Sequence, residues 1–403
     1  YNDDGTFKCI NPIYDNIPSV IKKRIVENFD ESFYPKNLIV PNIEVIHSRI
    51  MLEIFRGCTR GCRFCQAGML YRPIRERSID TLEKISKNMY KNSGFEEISL
   101  VSLSSSDYSD INTLIDRLND VHEVEKTSIS LPSLRLDGFS LETAEKVQKV
   151  KKSGMTFAPE AGSQRMRDVI NKGVTTQDLQ DTMTKIFSSS YQRVKLYSMI
   201  GLPYETYEDL DAIRNLGYTA LEIYRNTHNG KLHARTTISL SSSHFVPKPF
   251  TPFQWFGQNS LEEMKKKQYY IKDNLKSKNI TFSYHDPLTS RIEAVLARGD
   301  RRQSKAILRA YELGCKMDGW GEHFKYDLWA QAFEECNLDI DFYATRERAY
   351  DEIFPWDHID CGVDKAYLIR ENEKAKAQQL TKDCRLGCTG CRVNKEIAVG
   401  LCG

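Results

Sequence analysis

Between about residues 48 and 275, short β-branched or apolar runs alternate with stretches of helical period, and no other feature limits the fold as strongly. The apolar runs are Ile50 to Ile54, Ile98 to Leu103, Thr127 to Leu131, Met155 to Ala158, Val194 to Ile200 and Thr236 to Phe245. Between and after them, helical spacing predicts helices over Ile79 to Asn92, Ile111 to Val124, Leu141 to Ser153, Asp178 to Ser188, Tyr207 to Arg225 and Leu261 to Lys276. Thr206-x-x-Asp209 and Ser260-x-x-Glu263 carry capping-box spacing at two of these starts. Six strand-then-helix units in succession imply parallel strands joined by right-handed crossovers. The expected fold class is therefore α/β, a partial (β/α)6 TIM-type barrel over residues 48–278, with an open doubly wound sheet as the alternative. Both place chemistry at the carboxyl ends of the strands.

The flanks read differently. Residues 1–47 contain Pro12, Pro18, Pro35 and Pro41 without sustained period, which predicts an extended N-terminal strap or linker. The chain opens on Tyr1 in polar sequence, which leaves room for an upstream domain or a partner chain. Residues 279–370 are dominated by helical period, as in Ile292 to Leu313 and Tyr326 to Cys336, and predict a small helical C-terminal appendage. The segment 371–403 is a charged, cysteine-rich tail. With 57 Lys+Arg against 55 Asp+Glu, the net charge of +2 argues against a protein that coats polyanions. Hydrophobic residues at 40% and charged residues at 28% exclude a disordered chain. No apolar run approaches the ~18 residues of a membrane span, and a cytoplasmic location with no membrane contact is expected.

Six of the eleven cysteines fall in two tight groups, which a disulfide framework would not produce. Cys58, Cys62 and Cys65 are spaced Cys-x-x-x-Cys-x-x-Cys in a loop after the first strand, and Cys384, Cys388 and Cys391 repeat that spacing, with Cys402 behind them. Such clustering reads as metal ligation in a reducing compartment. Three thiolates can hold a four-iron, four-sulfur (4Fe-4S) cluster while leaving its fourth iron open to a small chelating molecule. Zinc is the rival at the first loop, which lacks a fourth thiol or a nearby His. At the tail zinc is the stronger rival, because Cys-x-x-Cys plus two thiols satisfies a tetrahedral site. There we expect an auxiliary iron-sulfur cluster, closed if Cys402 is its fourth ligand and open if it is not. Cys9, Cys315, Cys336 and Cys361 stand alone and are expected to be buried small hydrophobes.

The run Gly57-Cys58-Thr59-Arg60-Gly61-Cys62-Arg63-Phe64-Cys65 resembles the signature loop of the radical S-adenosylmethionine (SAM) superfamily. The resemblance implies that the methionyl group of SAM chelates the open iron, with Phe64 beside it. An electron from the cluster then cleaves SAM to a 5′-deoxyadenosyl radical. Later strand ends continue the likeness. Ser104, Ser105 and Ser106, before Asp107, stand where many members hold the SAM amine through Gly-Gly-Glu, a departure from the pattern. Glu160, in Phe157-Ala158-Pro159-Glu160-Ala161-Gly162-Ser163, matches the acceptor of the ribose hydroxyls, with an acid opening a helical turn as the alternative. Ile200, Gly201 and Leu202, followed by Pro203 and Glu205, resemble the segment packed on adenine, and Val246 closes the sixth strand ahead of Pro247-Lys248-Pro249.

These likenesses cover about 48–255 and are closest to the subgroup holding the methylthiotransferases and cobalamin-dependent members. Ile54-Phe55-Arg56-Gly57-Cys58, Pro159-Glu160-Ala161-Gly162, Pro247-Lys248-Pro249 and Gly319-Trp320-x-Glu322-His323-Phe324 resemble one uncharacterised bacterial subfamily that usually carries a cobalamin-binding-like domain ahead of the barrel. This chain shows neither that domain nor an Asp-x-His-x-x-Gly pattern, so cobalamin is not supported by its residues.

Strand parity adds a prediction of its own. Lys195, Tyr197 and Met199 share one face of the fifth strand and Val194, Leu196 and Ile200 the other. Lys195 and Tyr197 should face the lumen as catalytic or substrate-holding groups. Arg135 is a second candidate to hold an anionic group, a solvated loop arginine being the alternative. Arg298, Arg301, Arg302 and Arg309 beside Trp320, Phe324, Tyr326 and Trp329 have the composition of a phosphate-and-stacking surface, against which a solvated helix face is preferred. The expected activity is a SAM-cleaving radical transferase, for methylthiolation or methylation of RNA first and modification of a protein or peptide second. It needs a reducing donor such as flavodoxin or ferredoxin. The contrasting class is a non-catalytic iron-sulfur carrier or scaffold, which would need the cysteines but no ribose carboxylate.

Overall fold

In a computed structural model, described at residues 1–124, 126–132, 135–138, 140–147, 155–189 and 191–400, the six expected strands all form. They are β1 (Ile50–Glu53), β2 (Glu97–Val101), β3 (Ser128–Ser130), β4 (Met155–Glu160), β5 (Arg193–Ile200) and β6 (Thr237–His244). A seventh, β7 (Ile280–Tyr284), lies in the stretch read as helical. The ladders β1-β2-β3 and β4-β5-β6-β7 are parallel throughout, in sequence order. The architecture is thus α/β, with parallel sheets forming a partial barrel-like core.

Helices α1 (Ile79–Ser93), α2 (Ile111–His122), α3 (Leu141–Val147), α4 (Thr176–Ser188), α5 (Tyr207–Thr227) and α6 (Leu261–Asp273) follow β1 to β6 in turn. Residues 148–153 of the third expected helix lie outside the described residues. Caps explain the starts. Asp209 accepts from the Thr206 N–H at 2.8 Å, completing the expected capping box, whereas Ser260 accepts from the Glu263 N–H at 3.2 Å. In α5, Leu210, Ile213, Leu216, Ala220, Leu221 and Tyr224 recur every three or four residues and are buried.

Two core clusters hold the sheets to their helices. Ile50, Leu52, Ile98, Leu100 and Ile129 pack against Leu82, Ile85, Leu114, Ile115 and Leu118, and Phe157, Val194, Leu196, Ile238 and Leu240 pack against Met183, Phe187, Ala220 and Tyr224. Val194 and Leu196 therefore face the helices, and Lys195 and Tyr197 project from the opposite face, as parity requires.

Past β7 the chain is helical: α7 (Pro287–Ala297), α8 (Gln303–Glu312) and α9 (Tyr326–Glu335) share a cluster of Ile292, Val295, Ala306, Trp329 and Phe333. The stretch of helical period over Ile292 to Leu313 is divided into two helices between Ala297 and Gln303. There Arg298 turns inward and donates to the carbonyls of Tyr343 and Ala344 at 2.7 and 2.6 Å. The appendage arginines divide: Arg301 is exposed and Arg309 half-exposed, as a solvated face requires, and the others turn inward or pair locally. Arg298 is buried, Arg302 pairs with Asp300 at 2.7 Å, and Arg309 pairs with Glu312 and Glu335. In the strap, Ile21–Lys22 forms a short parallel ladder with Ile359–Asp360. Of the isolated cysteines, Cys315 and Cys361 are buried as expected, whereas Cys9 is exposed and Cys336 half-buried.

Gly162, just past β4, meets α5 so closely that a Cβ there would fall onto the backbone of Ala212 and Ile213. Backbone cannot step aside as a flexible side chain can. Gly162→Ala should cost ~3 kcal/mol or more, which chemical denaturation reads directly; a loss under ~1 kcal/mol would contradict this packing.

Candidate active site and a second thiol site

The first cysteine loop leaves β1 through the short strand Phe55–Arg56 and enters a short helix, Gln66–Leu70. Gly57 at its start has φ +96°, and a Cβ there would collide with the carbonyls of Tyr71 and Pro73. Only glycine fits that turn. Cys65 caps the helix, its sulfur accepting from the Gly68 N–H at 3.3 Å. Burial, and next the Cys62 sulfur, push the Cys65 thiol up to about 11, and the same two causes raise Cys58. Bare thiols in this loop resist ionising, so a metal that takes thiolates relieves a real electrostatic conflict.

Two cations stand ready for that charge. Arg135 is nearly buried, donating to Asp137 at 2.9 Å and to the Lys172 carbonyl at 2.8 Å. Burial works to lower its guanidinium, but the Cys62 sulfur and Asp137 outweigh it and the net shift is upward. The solvated-loop reading of Arg135 is thereby overturned. Lys172 reaches Glu160 at 3.2 Å and also acts on Cys65. No three described His, Cys, Asp or Glu side chains close on one point as the ligands of a single ion do. Three thiols bordered by cations fit a cluster held at three of its irons.

The other residues singled out in the sequence distribute around this loop. Phe64 packs into a cluster with Ala161, Met199, Leu202 and Phe245, which joins the cysteine loop to the ends of β4, β5 and β6. Glu160 sits at a β-bulge with φ +67°, an uncommon conformation for a non-glycine residue that turns it off the ladder. Ser105 is committed to the Leu100 carbonyl at 2.9 Å, whereas the Ser106 hydroxyl is buried without a hydrogen-bond partner among the described residues. Ser104 is buried at the start of the same turn, its hydroxyl likewise without a hydrogen-bond partner among the described residues. Gly201 donates its N–H to Glu205 at 2.8 Å.

Two expectations need correcting. The side chain of Ile200 is fully buried with Leu210, Ile213 and Ile271, on the helical side, so only its main chain borders the lumen. Val246 packs against the appendage cluster and not over the strand ends. Lys195 lies 4.7 Å from the centre of the Tyr197 ring on the lumen face. Across the ladder it aligns with Thr156, Ser239 and Thr281, while Tyr197 aligns with Ser241. This hydroxyl-bearing floor was missed, although alternate residues of Thr237-Ile238-Ser239-Leu240-Ser241-Ser242-Ser243 signal it.

The tail folds back onto the first loop. Helix α10 (Lys365–Lys376) places Glu371 against Arg63, a pair at 3.2 Å that is almost wholly shielded from solvent. Arg63 also donates to the carbonyls of Val169 and Gln379 at 2.9 and 2.6 Å. Thr59 donates to Asp383 at 2.9 Å, and the Cys384 N–H donates to the Thr59 carbonyl at 3.2 Å. Arg60 ties Asp107, Asp137 and Asp383 together, and Arg385 adds a second contact to Asp107 at 3.1 Å. A cavity of about 220 Å³ lies between loop and tail, lined by Cys58, Arg72, Cys384, Cys388 and Cys391 among others. Arg72 is buried, bonds to the Gly68 carbonyl at 2.8 Å, and keeps one terminal nitrogen without a partner among the described residues. Cys402 lies outside the described residues.

Residues 52–217 match the family model described as "Radical SAM superfamily". Over that span the chain is a radical SAM superfamily domain. Its domain is that of an enzyme superfamily. The uncharacterised protein MJ0966 of Methanocaldococcus jannaschii is 31% identical over 317 residues, 75% of this chain and 66% of its own length. MJ0865 of the same archaeon, provisionally named as a methylthiotransferase, is 24% identical over 189 residues, 44% of this chain and 41% of its own. The chain thus spans about two thirds and two fifths of these curated relatives. Among solved structures, Streptococcus suis SuiB bound to S-adenosylmethionine aligns over 61% of this chain and 52% of its own, at 13% identity and a TM-score of 0.41. No helix among the described residues is long and apolar enough to cross a membrane.

The clamp between loop and tail is sensitive to acid. Burial opposes charge on Asp107, but the hydrogen bonds and charge of Arg60 prevail and bring its carboxyl down to about 2. A depressed carboxyl stabilises the fold above its unfolded value near 4, and the gain is lost as pH falls from there through about 2. The loss should be ~2 kcal/mol. Asp107→Asn should flatten stability over pH 2 to 4 while sparing higher pH slopes; an unchanged acid slope would contradict the assignment.

Proposed function

We propose that the chain is a radical SAM transferase that cleaves SAM reductively at a 4Fe-4S cluster held by Cys58, Cys62 and Cys65. The observation carrying this reading is the convergence on one loop of three thiols, Cys62 buried and Cys58 and Cys65 half-buried, with Arg135 and, through Lys172, Glu160. The cluster, when bound, supplies the electron and the open iron. The protein does the rest. Glu160 orients the ribose diol, and Arg135 takes the SAM carboxylate or offsets thiolate charge. Ser106 offers its hydroxyl to the amine. Phe64, Met199 and Leu202 wall the site against water, and the main chain at Ile200 and Gly201 borders adenine. Lys195 and Tyr197, on the floor of the lumen, hold the acceptor.

Cys384, Cys388 and Cys391 are the thiols of an auxiliary iron-sulfur cluster facing the same loop, with Cys402 as a fourth ligand. The transfer proposed is methylthiolation or methylation of RNA. Its support is the likeness to MJ0865 and the resemblance of the motifs to the methylthiotransferase subgroup, since Arg298, Arg302 and Arg309 are tied up in ion pairs and carbonyl contacts. The motifs shared with the cobalamin-linked bacterial subfamily belong to the same reading. Modification of a protein or peptide is the second reading, favoured by that loss of an arginine surface.

Anaerobic reduction with SAM should yield 5′-deoxyadenosine in the parent and none in Cys62→Ala. Glu160→Ala should keep its cluster but bind SAM roughly ten- to a hundredfold more weakly, the ~1.5 to 3 kcal/mol of a charged hydrogen bond. Undiminished cleavage in Cys62→Ala would sink the enzyme reading, and unchanged affinity in Glu160→Ala would sink that carboxylate alone. For the acceptor, mass spectrometry of total RNA and ribosomal proteins from cells lacking the protein should show a mass shift lost from RNA. A shift lost only from protein retires the RNA acceptor.

A further inference from the structure

We propose that the basic rim around Cys388 is the docking surface of an acidic one-electron carrier protein, and that reducing electrons reach the first cysteine loop through the tail thiols. This rests on reading the tail thiols as ligands of an iron-sulfur cluster. The thiols of the two loops differ in access: in the first loop Cys62 is buried and Cys58 and Cys65 half-buried, whereas in the tail Cys391 is buried, Cys384 half-buried and Cys388 exposed. The tail thiols border a cavity whose far wall includes Cys58. A short bonded route joins the two sides, from Cys384 through its N–H to the Thr59 carbonyl at 3.2 Å and on to the adjoining Cys58. The tail site therefore stands between solvent and the first loop.

Charge around the exposed thiol is lopsided. Between residues 382 and 395 there are four cations, Lys382, Arg385, Arg392 and Lys395, against one acid, Asp383; Arg385 and Arg392 also meet Asp107 and Asp364 at 3.1 and 3.4 Å, and Lys382 and Lys395 are exposed. Asp383 is withdrawn from solvent, its side chain 10% exposed and held by Arg60, Arg385 and Thr59, while Arg385 and Arg392 are 46% and 51% exposed. Arg370 adds a fifth cation, donating to the carbonyls of Thr389 and Gly390 at 3.2 and 3.3 Å beside Cys388. Lys382 lies against Gly387 on the other side. In a chain with a net charge of only +2, this is a local concentration of positive charge around an outward-facing sulfur. Such a rim steers and orients an acidic partner. The step is a transfer of one electron: the carrier is oxidised by one electron, the tail site is reduced and then reoxidised as the electron moves to the first cluster, and no bond or proton changes place.

The test uses the full chain with reconstituted clusters and follows bleaching of their absorbance under two donors, a photoreduced acidic flavodoxin and the small uncharged donor 5-deazariboflavin. Lys382→Glu/Lys395→Glu should lower the flavodoxin rate about tenfold at ~0.01 M salt. The difference should vanish toward ~1 M salt, where the Debye length shrinks from ~30 Å to ~3 Å. Rates with 5-deazariboflavin should not change. Equal flavodoxin rates in parent and variant overturn the proposal, as does a variant that loses affinity for RNA while its flavodoxin rate is unaltered. Iron content separates this failure from that of the underlying reading. About eight irons per chain with unaltered rates removes the docking surface alone, whereas about four in the parent removes the tail cluster itself.

Discussion

The site depends on one buried charge, the guanidinium of Arg63, placed between Cys62 and Cys65 in the first loop. It is shielded from water with Glu371, and burial lowers its affinity for its proton despite that partner. A buried pair of this kind stands only when every remaining donor is satisfied, because desolvation otherwise exceeds the attraction. Here the carbonyls of Asp168, Val169 and Gln379 complete the set, at 3.1, 2.9 and 2.6 Å. Those partners come from the short helix Gln164–Val169 after β4, from the middle of α10 and from the turn past its end. One side chain inside the cysteine motif thus holds together the loop, the strand end that carries Glu160, and the segment that delivers the tail.

Much of the scaffold was legible because it rests on local rules. The six strands stand where apolar runs predicted them, and the side of β5 that bears Lys195 follows from the period of two alone. The Thr206–Asp209 capping box is equally local. β7 was missed because Ile280-Thr281-Phe282-Ser283-Tyr284 is a five-residue alternation after a lysine-rich helix, too short to outweigh the helical pattern beyond it. Arg298 was misread for a different reason. Whether an arginine meets solvent or a carbonyl is decided by a partner some 45 residues away, as for Arg298 and Tyr343, and composition carries no trace of that pairing.

The same distinction separates the two halves of the site. Cysteine spacing announces two groups of thiols, but nothing local says that they share a cavity. That juxtaposition comes from contacts spanning more than 270 positions, such as Thr59 with Asp383 and Arg385 with Asp107. The hydroxyl-bearing floor of the lumen lies between these extremes. Its residues are visible as alternating Ser and Thr, yet their alignment across four strands, Thr156 with Lys195, Ser239 and Thr281, is a matter of register. Small hydroxyls there leave space above the sheet where large apolar side chains would fill it, which suits a lumen that admits a substrate.

Loop and tail also need each other electrostatically. The thiols of Cys58 and Cys65 are held uncharged by burial and by Cys62, so the loop lacks neutralised anionic charge until metal enters. Across the cavity Arg72 has the opposite difficulty. Burial opposes its charge, yet Tyr367 and the sulfurs of Cys384 and Cys391 outweigh that opposition and keep it protonated, with one nitrogen still unpartnered among the described residues. An isolated buried cation with an open donor is costly, and so is a set of crowded thiolates. Each cost falls when thiolates and guanidinium occupy one enclosed space, because their attraction is least screened there. The docking of the tail is therefore more than a packing convenience: it brings the tail thiols beside Arg72, a cation fixed by the first loop.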